Sequence, residues 1–290
     1  MTRWLRYEVV DVFAVGPYAG NPLAVVFDAD ELETVAMQAI AREFNLSETT
    51  FPVRTTNADA DYRLRIFTPR TELPFAGHPS VGTAWLMAQR GRVSPGRLLQ
   101  ECGAGLVQVE VDDEGALVTG GQPQLGPPLD PEPLLAAVGL HREDLDPIAA
   151  PRSVGAGLRQ VHLPVRRDAL ARAVPDQARI DAAHPDQMIA VFAWDQDTHT
   201  SYARMFAPSS GVPEDPATGS AALGFGVWLV VSGVVPGDGE TAYTIRQGIE
   251  MGRPSQLDCT VTAEGGQVVH TTVRGRVLPV ARGEIVAPAQ

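Results

Sequence analysis

Two stretches of this chain carry nearly the same text. Residues 65–84 read R-I-F-T-P followed by G-H-P-S-V-G-T-A, and residues 204–221 read R-M-F-A-P followed by E-D-P-A-T-G-S-A. Aligned on the second block, Arg65, Phe67, Pro69, Pro79, Gly82 and Ala84 recur as Arg204, Phe206, Pro208, Pro216, Gly219 and Ala221, with Thr83 becoming Ser220. A match at about 140 residues is far longer than the period of a solenoid, which runs about 20–50 residues, so the chain is expected to hold two similar lobes. Where the first copy has His78 the second has Asp215. A repeated scaffold with different titratable groups at one aligned point suggests an active site between the lobes.

The 290 residues suffice for two domains with buried cores. Lys and Arg total 23 against 35 Asp and Glu, a net charge of −12, with no basic cluster. Nucleic acid is therefore excluded as the expected partner, since its binding needs a positive footprint. A small anion remains compatible, because backbone N–H groups at a helix N-terminus hold a carboxylate without Lys or Arg. Glu8 and Asp11 interrupt what would have to be the apolar core of a leader, and a cytoplasmic protein is expected. The two cysteines, Cys102 and Cys259, have no metal-like spacing and fit a reducing compartment. Residues 217–237 carry no charge, but glycines and a proline interrupt them, so they read as a buried helix rather than a membrane span.

In the first lobe the pattern predicts strands over 7–13 and 23–27 around a Gly/Pro/Asn turn. A helix then follows, capped by Asp30 with Glu33 placed for a capping box, and Leu32, Val35, Ala36, Ala39 and Ile40 lie on one face. A strand carrying Glu48 comes next, then a strand over 62–67, the G-H-P-S-V-G block as a loop, and an almost uncharged helix over 81–88. Strands over 98–101, 106–111 and 116–119 complete the lobe. The Pro-rich stretch 122–133 marks the boundary, giving lobes 1–126, joined by 280–290, and 127–279. The second lobe repeats the order, with a helix over 168–173, strands over 160–165, 188–194 and 201–206, an apolar helix to Val231, and closing strands over 242–246, 256–262 and 268–274. A helix apolar on all sides must be enclosed. The expected fold is α+β: two pseudo-symmetric lobes, each a curved, mainly antiparallel sheet around a central apolar helix.

At each helix mouth, uncapped N–H groups would point at a ligand, with Gly77 and Gly219 permitting close backbone approach and Thr218 and Ser220 adding hydroxyls. The plainer alternative makes Pro79 and Pro216 first-turn prolines, Asp215 and Thr83 caps, and His78 a loop residue. The pairing of His78 with Asp215 at aligned points favours the functional reading. Glu48 alone reads as a solvated acid after a helix. His162, His184, His199 and His270 show no ligand spacing, and no nucleotide-binding motif occurs.

Taken together, Y-E-V-V-D-V-F…G-N-P-L-A-V-V, L-S-E-T-T-F, R-I-F-T-P…E-L-P-F-A-G-H-P-S-V-G-T-A, E-D-P-A-T-G-S-A and Q-G-I-E-M-G-R-P-S resemble the phenazine-biosynthesis PhzF-like family. The resemblance implies the diaminopimelate-epimerase fold with an active-site cleft between its lobes, a homodimer, and an isomerase needing no metal or organic cofactor. It also implies that Glu48 is the acid/base that moves a proton between carbons of a cyclic dihydro-hydroxyanthranilate. His78, Asp215 and Ser220 match further active-site positions, and Gly77 and Gly219 line the site. A carboxylate in a closed cleft is suited to both taking and giving a proton. Racemases and epimerases of the same superfamily use two cysteines at the helix mouths, where this chain has His78 and Asp215. Two alternatives stand beside isomerisation of a small carboxylate: an amino-acid-type epimerase without catalytic cysteines, and a non-catalytic small-molecule binding protein.

Overall fold

Two helices with no polar face fix the architecture, because each needs a wall on every side. The structure, a computed structural model, describes residues 3–183, 188–208 and 212–288. The chain divides into one unit formed by residues 1–119 with 274–290 and a second formed by residues 120–273. In chain order the first unit contains β1 (Trp4–Val12), β2 (Asn21–Val26), α1 (Thr34–Phe44), β3 (Glu48–Val53), β4 (Tyr62–Phe67), β5 (Glu72–Leu73), α2 (Gly77–Gln89), β6 (Gly96–Cys102), β7 (Gly105–Val111) and β8 (Gly115–Thr119). The second contains β9 (Pro123–Pro128), α3 (Pro131–Ala137), β10 (Arg152–Ala156), β11 (Arg159–Pro164), α4 (Gln177–Ala183), β12 (Ile189–Asp195), β13 (Thr200–Ala207), β14 (Val212–Asp215), α5 (Gly219–Val231), β15 (Gly239–Gln247) and β16 (Ser255–Glu264). A long last strand, β17 (Gln267–Val286), begins in the second unit and ends in the first.

In the first unit β17 pairs with β1, β1 with β2, β3 with β4, β6 with β7 and β7 with β8, all antiparallel, while β2–β3 and β4–β6 are parallel. The pairing of β8 with β17 closes the ring. The sheet is therefore mixed, and the two parallel pairs fall where a helix links the strands: α1 between β2 and β3, α2 between β4 and β6. Antiparallel neighbours need only a turn; parallel ones need such a crossover. The second unit follows the same order. β9–β10, β10–β11, β12–β13 and β15–β16 are antiparallel, and β11–β12 and β13–β15 are parallel. β16 neighbours β17, where Thr260 and Thr272 hydroxyls meet at 2.7 Å, and the Gly120 N–H donates to Thr271 O of β17 at 2.8 Å.

Each ring surrounds its uncharged helix. Residues Gly77 to Met87 of α2 are all buried, as are Gly219 to Val230 of α5. Helix α2 packs on β1, β2, β3, β7 and β8, and α5 on β9, β10, β11 and β16. Outside the ring of the first unit, α1 lays Ala36, Met37, Ile40 and Ala41 over Leu5, Val26, Phe51 and Phe67. Val35, expected on that face, is exposed, and Met37 takes its place. The recurring R-x-F has a structural reason in both units. Arg65 lies over the ring of buried Phe67 at 5.2 Å and grips Glu72 of β5 through Nε and Nη2 (2.8 and 2.7 Å). Likewise Arg204 lies over Phe206 at 4.9 Å and grips Glu214 of β14 (2.8 and 2.7 Å). A forked pair of this kind holds geometry as well as charge, and it ties each short arm to the strand before it.

Several expected boundaries move. Helix α2 starts at Gly77, so G-H-P-S-V is its first turn and not a loop: Pro79 lacks only an N–H that a first turn leaves unbonded, and its φ suits a helix. Asp30 does not cap α1, whose N-cap is Glu33 with no side-chain cap bond; Asp30 Oδ1 accepts the Arg54 N–H at 2.7 Å. Residues 167–172 form a 3-10 helix, and the α-helix of that region is α4. The stretch 122–133, expected at the boundary, lies just inside the second unit, where β9 pairs with β10 and Asp130 caps α3 by accepting the Glu132 N–H. The strand expected over 188–194 starts one residue later, β1 and β15 each begin three residues before the expected 7 and 242, and β17 runs on to Val286, twelve residues past the expected end at 274. No helix among the described residues is long and apolar enough to cross a membrane.

The seam between β8 and β17 leaves no room for a side chain at Gly115, where a Cβ would lie 1.9 Å from the backbone oxygen of Gly275. Gly115→Ala is expected to lower unfolding stability by about 1–3 kcal/mol. Gly16→Ala, with nothing within 4 Å, is expected to stay within about 0.5 kcal/mol. Denaturant unfolding of both variants checks this.

Candidate active site

In the first unit the parallel pairing of β2 and β3 sets Leu23 beside Glu48. Glu48 opens β3, directly after the left-handed C-cap of α1 at Asn45 (φ 50°). Asn21 opens β2, two residues before Leu23. Parallel strands start at the same end of a sheet, and the first turn of α2 supplies His78 there. His78 Nε2 lies 3.5 Å from Glu48 Oε2, and Asn21 Nδ2 lies 3.2 Å from His78 Nδ1. His78 and Asn21 are buried; the Glu48 side chain keeps 14 % of its surface exposed. Burial pushes the His78 imidazole down to about 3, so it is neutral at physiological pH. Ala76, the N-cap of α2, gives no side-chain cap, and Pro79 has no N–H, which leaves the Gly77 and His78 amides at the mouth. Deeper in, Tyr62 OH donates to Gln100 Oε1 (3.0 Å) and Gln100 Nε2 donates to Ser80 Oγ (2.9 Å).

The second unit builds its own mouth. Asp215 ends β14, Thr218 is the N-cap of α5 without a side-chain cap bond to the helix, and Gly219 and Ser220 begin the first turn. The Thr218 hydroxyl donates to Asp215 Oδ2 at 2.5 Å. Gln247, at the end of β15, holds this corner three ways: Nε2 donates to Thr218 Oγ1 (3.0 Å) and Asp215 O (2.7 Å), and Oε1 accepts the Thr218 N–H (3.3 Å). Gln160 Nε2 donates to Ser220 Oγ at 2.9 Å. Thus Glu48, Gly77 and His78 come together in the first unit, and Asp215, Thr218, Gly219 and Ser220 in the second.

The aligned pair His78 and Asp215 does not share a backbone setting. His78 is helical, whereas Asp215 is extended before Pro216, as residues preceding proline tend to be, and α5 starts only at Gly219. Pro216 therefore precedes the helix and is not a first-turn residue. Neither Asp215 nor Thr83 caps a helix start. Sequence reasoning missed Asn21, Gln160 and Gln247. The first sat in G-N-P, where it read as a turn residue, and carboxamides carry no charge or period to mark them.

The remaining candidates lie elsewhere. Cys102 on β6 and Cys259 on β16 are buried free thiols, and burial pushes both up. His162, on β11 between Phe192 and Phe225, is pushed by burial down to about 3. His184 falls outside the described residues.

Comparison with known proteins places this chain in a family. The family described as phenazine biosynthesis-like protein matches residues 10–283. The trans-2,3-dihydro-3-hydroxyanthranilate isomerase of Pseudomonas aeruginosa is 39% identical over 96% of this chain and 98% of its own. A Bacillus anthracis phenazine biosynthesis protein of the PhzF family has a similar structure, with TM-score 0.88 and 26% identity over 98% of this chain and 99% of that one. A hydroxyproline epimerase from Agrobacterium vitis shares the fold at TM-score 0.67 and 15% identity, over 98% and 93% of the two chains.

Two buried neutral imidazoles have a measurable consequence. Unfolded histidine takes its proton near pH 6.5, whereas folded His78 and His162 wait until about 3. The unfolded state therefore binds more protons in that window, and stability, full above about pH 6.5, falls as pH drops towards 3 by up to about 1.4 kcal/mol per unit for each histidine. His162→Leu is expected to lose about 2 kcal/mol less than the parent chain between pH 7 and pH 5, read from urea unfolding at the two pH values.

Proposed function

The chain belongs to the phenazine biosynthesis-like family and is an isomerase, and from that premise we propose that it moves a proton between carbons of a small carboxylate-bearing metabolite without a metal or organic cofactor. The observation that carries the reading is the Glu48–His78 pair: a carboxylate with a fraction of its surface open, 3.5 Å from a buried imidazole at an uncapped helix mouth. A carboxylate there is placed to act as a base whose proton is kept close enough to be returned.

In the proposed reaction Glu48 takes a proton from one substrate carbon, and the electron pair of that C–H bond moves into the adjacent π-system. The double bond shifts, and Glu48 returns the proton to a second carbon, so nothing is gained or lost. His78, whose Nε2 lies 3.5 Å from Glu48 Oε2, orients the carboxylate. The Gly77 and His78 amides supply donors for the substrate carboxylate. We propose that Asp215, Thr218 and Ser220 serve the same reaction, a reading that rests on the repeat and on the family resemblance. The relative named for trans-2,3-dihydro-3-hydroxyanthranilate acts on a carboxylate of this type, which supports the substrate class. The same proposal takes the protein as a cytoplasmic homodimer with pseudo-symmetric units.

The test is a screen of small carboxylates, with trans-2,3-dihydro-3-hydroxyanthranilate among them, for enzyme-dependent uptake of solvent deuterium. Glu48→Gln is expected to lower exchange by about 10²–10⁴-fold while binding, read by thermal shift, persists. Undiminished exchange in Glu48→Gln refutes the assignment. Exchange accompanied by loss of optical rotation without a shifted double bond assigns epimerisation instead.

A further inference from the structure

We propose that Asn21 is a positioning residue that confines the proton of neutral His78 to Nε2, making the imidazole a donor towards Glu48. The mechanistic value of this arrangement rests on the role proposed for Glu48, whereas the hydrogen-bond direction rests on the orientation of the Asn21 carboxamide, whose Nδ2 faces the ring. Asn21 is fully buried, and its Nδ2, which carries only donor hydrogens, lies 3.2 Å from His78 Nδ1. Nδ1 must therefore present its lone pair. A neutral imidazole has a single N–H, which is left to Nε2, the nitrogen 3.5 Å from Glu48 Oε2. An imidazolium would need an acceptor at Nδ1, where Asn21 offers N–H. The carboxamide and the burial of the ring thus act in the same direction: they keep His78 neutral and keep the Glu48 proton from being lost to it.

The second unit repeats the device with other residues. Gln247 cannot be turned over without breaking three bonds, so its Nε2 is the donor to Thr218 Oγ1, and the hydroxyl proton passes on to Asp215 Oδ2. The order is the same in both units: carboxamide, then a neutral donor–acceptor group, then carboxylate. Gln160 follows suit at Ser220, whose oxygen accepts at 2.9 Å and whose proton therefore points away from Gln160. Replacing the carboxamide by a carboxylate would reverse the chain, since a carboxylate at position 21 would accept from Nδ1–H and favour the imidazolium.

Imidazole nitrogen spectra of the histidine-labelled protein at pH 7.5 test this, with the His78 signals among those of the six histidines assigned by their loss in His78→Gln. The parent chain is expected to show His78 as the Nε2–H tautomer. Asn21→Asp is expected to move the proton to Nδ1 or to protonate both nitrogens, and Asn21→Ala to give a mixture of tautomers. A parent spectrum with the proton on Nδ1 overturns the proposal, as does an unchanged Nε2–H tautomer in whichever of the two variants folds. The spectra need no substrate, so a failure of the isomerase reading in the Glu48→Gln test leaves this result standing, and the reverse holds as well.

Discussion

A helix without a polar face can lower its free energy only by being covered on every side, and α2 and α5 are two such helices. Covering a cylinder takes a sheet that closes on itself or nearly so, which explains why each unit spends eight strands on one helix of thirteen residues. The parallel pairs follow from the same demand. Each ring must let its central helix enter, and the crossover through α2 or α5 makes the strands on either side of it run the same way.

Enclosure also creates the chemistry. A helix buried from its first turn brings its unbonded N–H groups into a low-dielectric setting, where they act on an anion far more strongly than at a wetted surface. It also forces any titratable group in that turn to be neutral or well paired. His78 becomes a neutral imidazole held between a carboxamide and a carboxylate, and Thr218 holds Asp215 in the same manner. Buried carboxamides suit this task because they fix direction without adding a charge that would itself need desolvation.

Much of this was legible in the residues. The repeat falls on two units of like strand order, the uncharged runs identified the enclosed helices, and R-x-F-x-P proved to be the ion-paired arm leading into each mouth. What was not legible has physical causes. G-H-P-S-V-G looks like a loop by composition, yet a proline in the first turn costs a helix nothing, so α2 begins four residues before the expected point. The Pro-rich segment after β8 looks like a linker, yet β9 is a strand that shifts register against β10 between Arg152 and Val154, which is where prolines are tolerated in a sheet. Asn21, Gln160 and Gln247 leave no pattern, because their importance comes from neighbours 29 to 60 residues away in the chain.

At the centre of the proposed reaction stands one carboxylate, Glu48, that is taken to remove and restore the same proton. The most direct measurement uses the parent enzyme and a substrate carrying deuterium at the carbon that loses its proton. Mass spectrometry of product from a single turnover in ordinary water reads where that label goes. The account predicts that a measurable share of product keeps the deuterium at the new carbon, since Glu48 returns what it took before solvent replaces it. Product with no transferred label at any pH contradicts the direct return of the abstracted proton by one carboxylate.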